Sequence, residues 1–198
     1  MEKIKTENPT RKIRIEKVVL SIGGTAEQLE KGVKLLGMIT GRKPAKMKSN
    51  KRIPTFGVRP KLEVGTVVTM RKDATEFLKR MLTAIENKLK RKQISENNFS
   101  FGIKEYIEIP GMEYQRDLGV IGLDVTVVFK RMGRKVSQRK IKRGKIPARQ
   151  RISREEIIKF MEDNFQTEFI GKWNQIKDFH SFETEEILND SIRLEQNN

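Results

Sequence analysis

The sequence contains no cysteine and a single histidine, His180. Without cysteine there can be no disulfide bond, no thiolate zinc site and no cysteine nucleophile. A lone histidine does not form a cluster of metal ligands, so we expect His180 to be a surface or packing residue. No stretch approaches the roughly 18 apolar residues that a membrane-spanning helix requires. No apolar signal core follows the first residues. We therefore expect a cytoplasmic protein with no metal, no cofactor and no membrane partner.

Acidic residues are outnumbered by basic ones, since the chain has 26 Asp and Glu against 42 Lys and Arg and therefore a net charge of +16. A charge of this size indicates the kind of partner rather than the fold. Nucleic acid is the natural counterpart, since each neutralised phosphate releases condensed counterions. The sequence has no phosphate-binding loop of the P-loop type, and we expect no Ser/His/Asp set around the single histidine of the tail. We expect a binding protein that is not an enzyme and has no small-molecule substrate.

Apolar periodicity predicts strands and helices that are interspersed along the chain. Each predicted helix has one apolar stripe, which favours an α+β fold in which an antiparallel sheet has helices packed on one face. The first six elements match the β-α-β-β-α-β order of ferredoxin-like (RRM-like) topology, and basic loops connect the elements. Capping boxes at Thr25 and Ser153 predict the starts of two helices, and an alternating pattern predicts a strand from Phe99 to Ile109.

The last 29 residues differ in character from the body of the chain, because three cations there face six acids. We expect a basic α+β domain over residues 1–169 and an acidic C-terminal tail over residues 170–198. Trp173, Phe179 and Phe182 suggest that part of the tail docks on a protein surface.

The strongest charge signal lies in residues 130–154, called the basic segment from here on. It contains no Asp or Glu and twelve cations, which are Lys130, Arg131, Arg134, Lys135, Arg139, Lys140, Lys142, Arg143, Lys145, Arg149, Arg151 and Arg154. Like charges at this density repel one another on a bare protein surface, and arginines can fork onto phosphate oxygens. A loop along an RNA backbone is the favoured interpretation, and a solvated loop or a targeting signal is the alternative.

Two other segments contain aromatic residues that could stack on bases. In the first, Phe56 lies among cations between Lys46 and Lys61, either as an exposed stacking group or tucked against the core. In the second, Phe99 and Phe101 alternate on a predicted strand, and we favour burial in the core over a base-stacking platform.

Seven segments, taken in order, resemble one family of ribosomal proteins from the large subunit, called L five in bacteria and archaea and L eleven in eukaryotes. They are Arg14-Ile15-Glu16-Lys17-Val18, Leu36-Gly37-Met38-Ile39-Thr40-Gly41-Arg42-Lys43-Pro44, Phe56-Gly57-Val58-Arg59, Gly65-Thr66-Val67-Val68-Thr69-Met70-Arg71, Asn98-Phe99-Ser100-Phe101-Gly102-Ile103-Lys104-Glu105, Gly119-Val120-Ile121-Gly122-Leu123-Asp124-Val125 and Lys145-Ile146-Pro147-Ala148-Arg149-Gln150-Arg151-Ile152-Ser153. The resemblance covers roughly residues 8–169. The basic segment is similar to the archaeal and eukaryotic forms, so the archaeal type is indicated.

The resemblance implies a ribosome-bound constituent of the central protuberance with neighbouring ribosomal proteins. Together with nearby cations, it points to 5S rRNA binding by Ser21, Arg42, Lys43, Lys46, Lys48, Thr69 and Arg71. It points to contact with peptidyl-site tRNA by Arg52, Thr55, Phe56, Gly57, Val58 and Arg59. It also points to binding of large-subunit rRNA by Arg134, Lys135, Arg139, Lys140, Lys142, Arg143, Lys145, Arg149 and Arg151.

The chain departs from the family at two of these positions, with Ser21 where Asn is usual and Arg42 where Gln is usual. The alternative function is a free RNA-binding regulator built on a ferredoxin-like sheet, since topology alone does not fix function.

Overall fold

In a computed structural model, residues 9–170 are described, apart from the side chains of Pro9 and Arg149. The strands are β1 (Arg14–Gly23), β2 (Ala45–Lys48), β3 (Glu63–Met70), β4 (Lys88–Lys90), β5 (Ile94–Ser95), β6 (Asn98–Ile103), β7 (Leu123–Lys130) and β8 (Glu168–Ile170). The helices are α1 (Glu27–Thr40), α2 (Ala74–Thr83), α3 (Lys135–Gln138) and α4 (Arg154–Phe165). Short 3-10 turns cover Pro9–Arg11, Pro54–Phe56, Arg91–Gln93, Tyr106–Glu108 and Ala148–Gln150.

Six strands form one antiparallel sheet in the order β2-β3-β1-β7-β6-β5, and β4 and β8 form a separate parallel pair. The α+β class is therefore confirmed. The ferredoxin-like order is present with β7 as its fourth strand, because β7 rather than β6 lies beside β1. The predicted strand from Phe99 to Ile109 was too long, since β6 ends at Ile103 and the 3-10 turn Tyr106–Glu108 follows.

The core lies on one side of this sheet, where alternate residues of each long strand are buried beneath the helices. In β7 the buried set is Leu123, Val125, Val127 and Phe129. Phe99 and Phe101 of β6 are also buried and stack on each other, which confirms the core interpretation over a base-stacking platform. The residues on the opposite side of the sheet are half-buried or exposed, so that side is covered less completely.

The two predicted capping boxes had different outcomes. Ser153 caps α4, because its hydroxyl oxygen accepts from the Glu156 backbone N–H and the Glu156 carboxylate accepts from the Ser153 N–H. Thr25 does not cap α1, which begins at Glu27 after Ala26 and has no side-chain cap. The reason is that Ala26 takes φ 47° and the first helical turn starts one residue later than the pattern predicted.

The predicted acidic tail, residues 170–198, lies outside the described residues except for Ile170. That residue ends β8 and pairs with Lys90 of β4. Within residues 9–170, no helix is both long and apolar enough to span a bilayer.

Candidate nucleic-acid interface

The side of the sheet opposite the core is called the open sheet face, and its central part includes Val19, Ser21, Val67, Thr69, Ser100, Asp124 and Thr126. Directly paired strand residues share a face, so Thr69, Val19, Thr126 and Ser100 form one row across four strands. Ser21 lies in the next row, between Val67 and Asp124. The structure thus places the two predicted 5S rRNA-binding residues Ser21 and Thr69 diagonally on adjacent strands.

Three polar residues of this face were not predicted as binding residues. Ser100 and Thr126 add hydroxyl groups to the row of Thr69, and Asp124 places a carboxylate beside Ser21. The alternation of β6 and β7 could have found them, because each lies between two apolar positions that face the core. Gly65 and Gly102 lie on the same side and have no side chain to project from the sheet.

The cations predicted to bind 5S rRNA lie in three places. Arg71 is the first residue after β3, and Arg42 and Lys43 follow the C-cap Gly41 of α1; all three are exposed. Gly41 takes the left-handed φ of 63° and donates its backbone N–H to the Gly37 carbonyl, which ends the helix.

Lys46 and Lys48 lie on the edge strand β2, away from the open sheet face. Lys46 pairs with the buried Thr66, so the Lys46 side chain projects from the side of the sheet on which the helices pack. Both lysines line a groove of about 460 Å³ with Leu29 of α1, and the Lys46 ammonium lies 3.3 Å from a Glu63 carboxylate oxygen. The structure therefore separates these two cations from Ser21 and Thr69.

The predicted tRNA-contacting loop is a tight turn closed by backbone hydrogen bonds. Ile53 and Val58 exchange backbone hydrogen bonds of 3.0 and 3.1 Å, and Gly57 at φ 64° donates to the Pro54 carbonyl. Val58 is buried, whereas the side chain of Phe56 is 76% exposed. The alternative in which Phe56 is tucked against the core is therefore wrong, and Val58 is the residue that anchors the loop. The remaining loop residues Arg52, Thr55 and Arg59 are exposed.

The basic segment is fastened to the domain at both ends. One guanidinium nitrogen of Arg131 donates to both carboxylate oxygens of Glu156, at 2.5 and 2.6 Å. At the other end the backbone N–H of Ile152 donates to Asn97 Oδ1 at 2.9 Å, and Ile152 is buried. The Arg151 guanidinium also lies 3.5 Å from the Glu96 carboxylate, and both of these side chains are exposed. Arg131 and Arg151 therefore contact acids of the protein itself, which the charge pattern does not show.

The middle of the basic segment folds back on itself. The backbone N–H of Gly144 donates to the Val136 carbonyl at 3.2 Å, and the loop between them presents Ile141, whose side chain is 78% exposed. In this middle part, six exposed cations have no carboxylate partner among residues 9–170: Lys135, Arg139, Lys140, Lys142, Arg143 and Lys145. A cleft of about 390 Å³ lies beneath, lined by residues that include Lys130, Arg134 and Lys145.

Arg134, also predicted to bind rRNA, is partly withdrawn from solvent. It contacts Glu16 at 2.7 Å and the Phe129 carbonyl at 3.3 Å. For Arg149 only the backbone is described, in the 3-10 turn Ala148–Gln150. In the described part of the chain, no cluster of three or more His, Cys, Asp or Glu side chains could hold a metal ion.

Two family models together match most of the chain. The family model described as Ribosomal protein L5 matches residues 8–59, and the model that describes the C-terminus of the same ribosomal family matches residues 63–160. The Large ribosomal subunit protein uL5 of Nanoarchaeum equitans is 44% identical over 168 residues, which are 83% of this chain and 99% of that protein.

Two further archaeal relatives with the same name are similar over most of their length. The protein of Picrophilus torridus is 39% identical, over 84% of this chain and 97% of its own. The protein of Sulfolobus acidocaldarius is 39% identical, over 83% of this chain and 95% of its own. The resemblance predicted from the seven segments is confirmed, and the chain belongs to the ribosomal L5 family, in its archaeal type.

Proposed function

We propose that this chain, a non-enzymatic structural constituent of the large ribosomal subunit, binds 5S rRNA through its open sheet face and large-subunit rRNA through its basic segment. The observation that carries the first part is the placement of Ser21 and Thr69 on one face of the sheet, with Thr69 in the same row as Thr126 and Ser100.

The shape of the open sheet face suits an RNA helix. The RNA minor groove is wide and shallow and displays 2′-hydroxyls, so a flat protein surface with short polar side chains can approach it closely. Ser and Thr hydroxyls both donate and accept, and therefore can pair with 2′-hydroxyls and base edges alike. The Asp124 carboxylate accepts only, which favours amino or hydroxyl donors of the RNA beside Ser21.

Hydroxyl groups do not neutralise phosphates, and we assign this role to the exposed cations at the ends of β3 and α1. Arg71 follows Thr69 by two residues at the end of β3, and Arg42 and Lys43 project from the end of α1. Arginine can bind one phosphate through two parallel hydrogen bonds. We assign Arg71, Arg42 and Lys43 to phosphates flanking the groove contacted by the sheet, and Lys46 and Lys48 to phosphates beyond the edge strand.

We assign the exposed cations of the basic segment, called the outward cations, to large-subunit rRNA together with Arg149 and Arg151. The outward cations are Lys135, Arg139, Lys140, Lys142, Arg143 and Lys145. These six lack an intramolecular carboxylate partner in the described residues, so binding phosphate breaks no ion pair of the protein. Arg134 is assigned to the same rRNA interface because it lies in the basic segment, although its guanidinium already contacts Glu16.

The loop from Arg52 to Arg59 is assigned to tRNA in the peptidyl site. Its exposed Phe56 offers an aromatic face to a base or ribose, and Arg52 and Arg59 lie on either side of it in the chain. The other expectations extend the same proposal: a ribosome-bound, cytoplasmic protein with ribosomal protein neighbours, and an acidic tail over residues 170–198 that does not bind RNA along most of its length.

Binding of the full chain to 5S rRNA, measured against an unrelated structured RNA of equal length, tests the proposal. We expect tighter binding to 5S rRNA at moderate salt, and an affinity for both that falls steeply as salt rises. Equal affinity for the two RNAs would contradict the proposal and favour a free RNA-binding regulator.

A pair of isosteric variants tests the sheet face itself. Thr69→Val removes one hydroxyl from the open sheet face, and we expect a loss of about 1 kcal/mol of 5S rRNA binding. Thr75→Val makes the same change on the exposed surface of α2, on the helix side of the sheet, and we expect no change. Equal effects of the two variants would remove the sheet face from the interface.

A further inference from the structure

Strand β1 contains a bulge at Glu16. Ile15 pairs with Phe129 and Lys17 pairs with Val128, so Glu16 is an extra residue that has no partner of its own on β7. Before the bulge, odd-numbered residues such as Ile15 pack against the core; after it, the buried residues are even-numbered, beginning with Val18. Glu16 is therefore the residue at which the inside-outside alternation of β1 changes phase, and a bulge sets the direction of the side chain it carries.

The Glu16 carboxylate contacts two points of the basic segment. One oxygen of Glu16 lies 2.7 Å from Arg134 Nη1, and the other accepts from the Gln138 side-chain amide at 2.8 Å. The Glu16 side chain is only 12% exposed. A charge-assisted hydrogen bond with little access to water is stronger than a solvated surface pair. Glu16 thus attaches helix α3 to the central part of the sheet.

The position of α3 determines where the exposed cations lie. Its first residue, Lys135, is one of them, and the loop after α3 closes through the Gly144 to Val136 hydrogen bond. The two ends of the basic segment are held separately, at Arg131 and Ile152. Between those ends, Glu16 contacts Arg134 and Gln138, whereas Glu96 lies 3.5 Å from Arg151, next to the second end.

We propose that Glu16 is a positioning residue that orders the basic segment before RNA is bound, so that its outward cations meet phosphates in a fixed arrangement. The consequence for RNA rests on the function proposed above, whereas the ordering does not. A segment that is already ordered loses less conformational entropy on binding. An acidic residue therefore strengthens the binding of a polyanion, opposite to the effect expected from its charge alone.

The test uses the full chain with Glu16→Gln, compared with wild type and with Glu162→Gln. Glu162 is exposed on α4, and its substitution makes the same charge change without touching the basic segment. The first measurement is backbone hydrogen exchange of residues 134–146 without RNA. In Glu16→Gln we expect exchange roughly three- to tenfold faster there, since a charged hydrogen bond becomes a neutral one.

The second measurement is affinity for deproteinised large-subunit rRNA at fixed salt. For Glu16→Gln we expect affinity roughly three- to tenfold lower than wild type, because binding must now order the segment. Charge alone predicts the opposite sign, and we expect Glu162→Gln to bind as well as wild type or slightly better. A third variant, Gln138→Ala, removes one contact at an exposed position and should show a smaller change in the same direction.

The outcomes separate the two proposals. Unchanged exchange in Glu16→Gln, or unchanged or higher rRNA affinity, overturns the positioning role. Failure of wild type to bind large-subunit rRNA instead contradicts the proposed function of the basic segment, and the exchange measurement then decides on its own whether Glu16 orders it. A general loss of fold in Glu16→Gln would appear as faster exchange in β7 as well, in which case Gln138→Ala decides.

Discussion

The hydroxyl oxygen of Tyr106 accepts a hydrogen bond from the backbone N–H of Gln115 at 2.9 Å, although the tyrosine side chain is 0% exposed. This bond ties the 3-10 turn after β6 to the loop that leads into β7. Tyr106→Phe keeps the buried ring and removes the acceptor, so we expect the free energy of unfolding to fall by about 1 kcal/mol.

Urea unfolding of Tyr106→Phe and Tyr114→Phe measures this effect. Tyr114 is exposed and lies in the same loop region, so removal of its hydroxyl should change stability by less than about 0.5 kcal/mol. Similar values for the two variants would show that the buried hydrogen bond contributes nothing.

Gly122, just before β7, lies where two stretches of backbone approach closely. A Cβ atom there would be 2.8 Å from the Lys104 carbonyl oxygen and 2.9 Å from that of Ile103. Backbone atoms do not swing aside as a side chain does, so we expect Gly122→Ala to lower the free energy of unfolding by about 1–3 kcal/mol. At Gly23 nothing lies within 4 Å of the added Cβ, and Gly23→Ala is the matched control with unchanged or slightly raised stability. Equal thermal midpoints for the two variants would contradict the close approach.

The unequal outcome of the two capping boxes leads to a paired prediction. Ser153→Ala removes a hydroxyl that accepts from the Glu156 N–H, and should lower stability by about 1 kcal/mol. Thr25→Ala removes a residue of the same capping class that makes no cap in the structure, and should change stability by less than about 0.5 kcal/mol. Chemical denaturation of both variants compares them directly, and a larger loss at Thr25 would reverse the assignment.

Local sequence patterns predicted the individual strands and helices better than they predicted which strands lie side by side. The alternation of β7 and the stripe Ile157, Ile158, Met161 and Phe165 of α4 can be read from the sequence, because each depends only on the burial of one face. The place of β7 beside β1 is a pairing between distant parts of the chain, which periodicity does not encode. The start of α1 depends on the backbone of Ala26, which no propensity singles out.

The candidate interface shows the same division. The charge run of residues 130–154 could be read from the sequence, but the withdrawal of Arg134 could not, because its partner Glu16 lies 118 positions earlier. A signal was nevertheless present in β1, where the apolar alternation changes phase between Ile15 and Val18. Such a change within one strand indicates a bulge, and a bulge can re-aim the side chain it carries.

Replacement of Lys43 or Arg71 by Ala tests the assignment of phosphate contacts to these exposed cations. We expect each variant to weaken 5S rRNA binding by about 1–2 kcal/mol, because a charge-assisted hydrogen bond is lost. The dependence of binding on salt should also become shallower, by about one unit in the slope of log K against log salt. Lys79→Ala, an equally exposed cation on α2, is the control and should bind like wild type. Unchanged affinity in both Lys43→Ala and Arg71→Ala would remove these residues from the interface.

The loop from Arg52 to Arg59 allows anchoring and contact to be tested separately, because Val58 is buried and Phe56 is exposed. Phe56→Ala removes an exposed ring, so unfolding should change by less than about 0.5 kcal/mol and 5S rRNA affinity should stay as in wild type. In reconstituted large subunits, the same variant should lower the yield of crosslinks between this loop and peptidyl-site tRNA. Val58→Ala should instead lower the free energy of unfolding by about 1–2 kcal/mol, since it uncovers buried apolar surface. If Phe56→Ala lowered stability as much as Val58→Ala, the ring would be part of the core; if tRNA crosslinking were unchanged, the loop would not contact tRNA through Phe56.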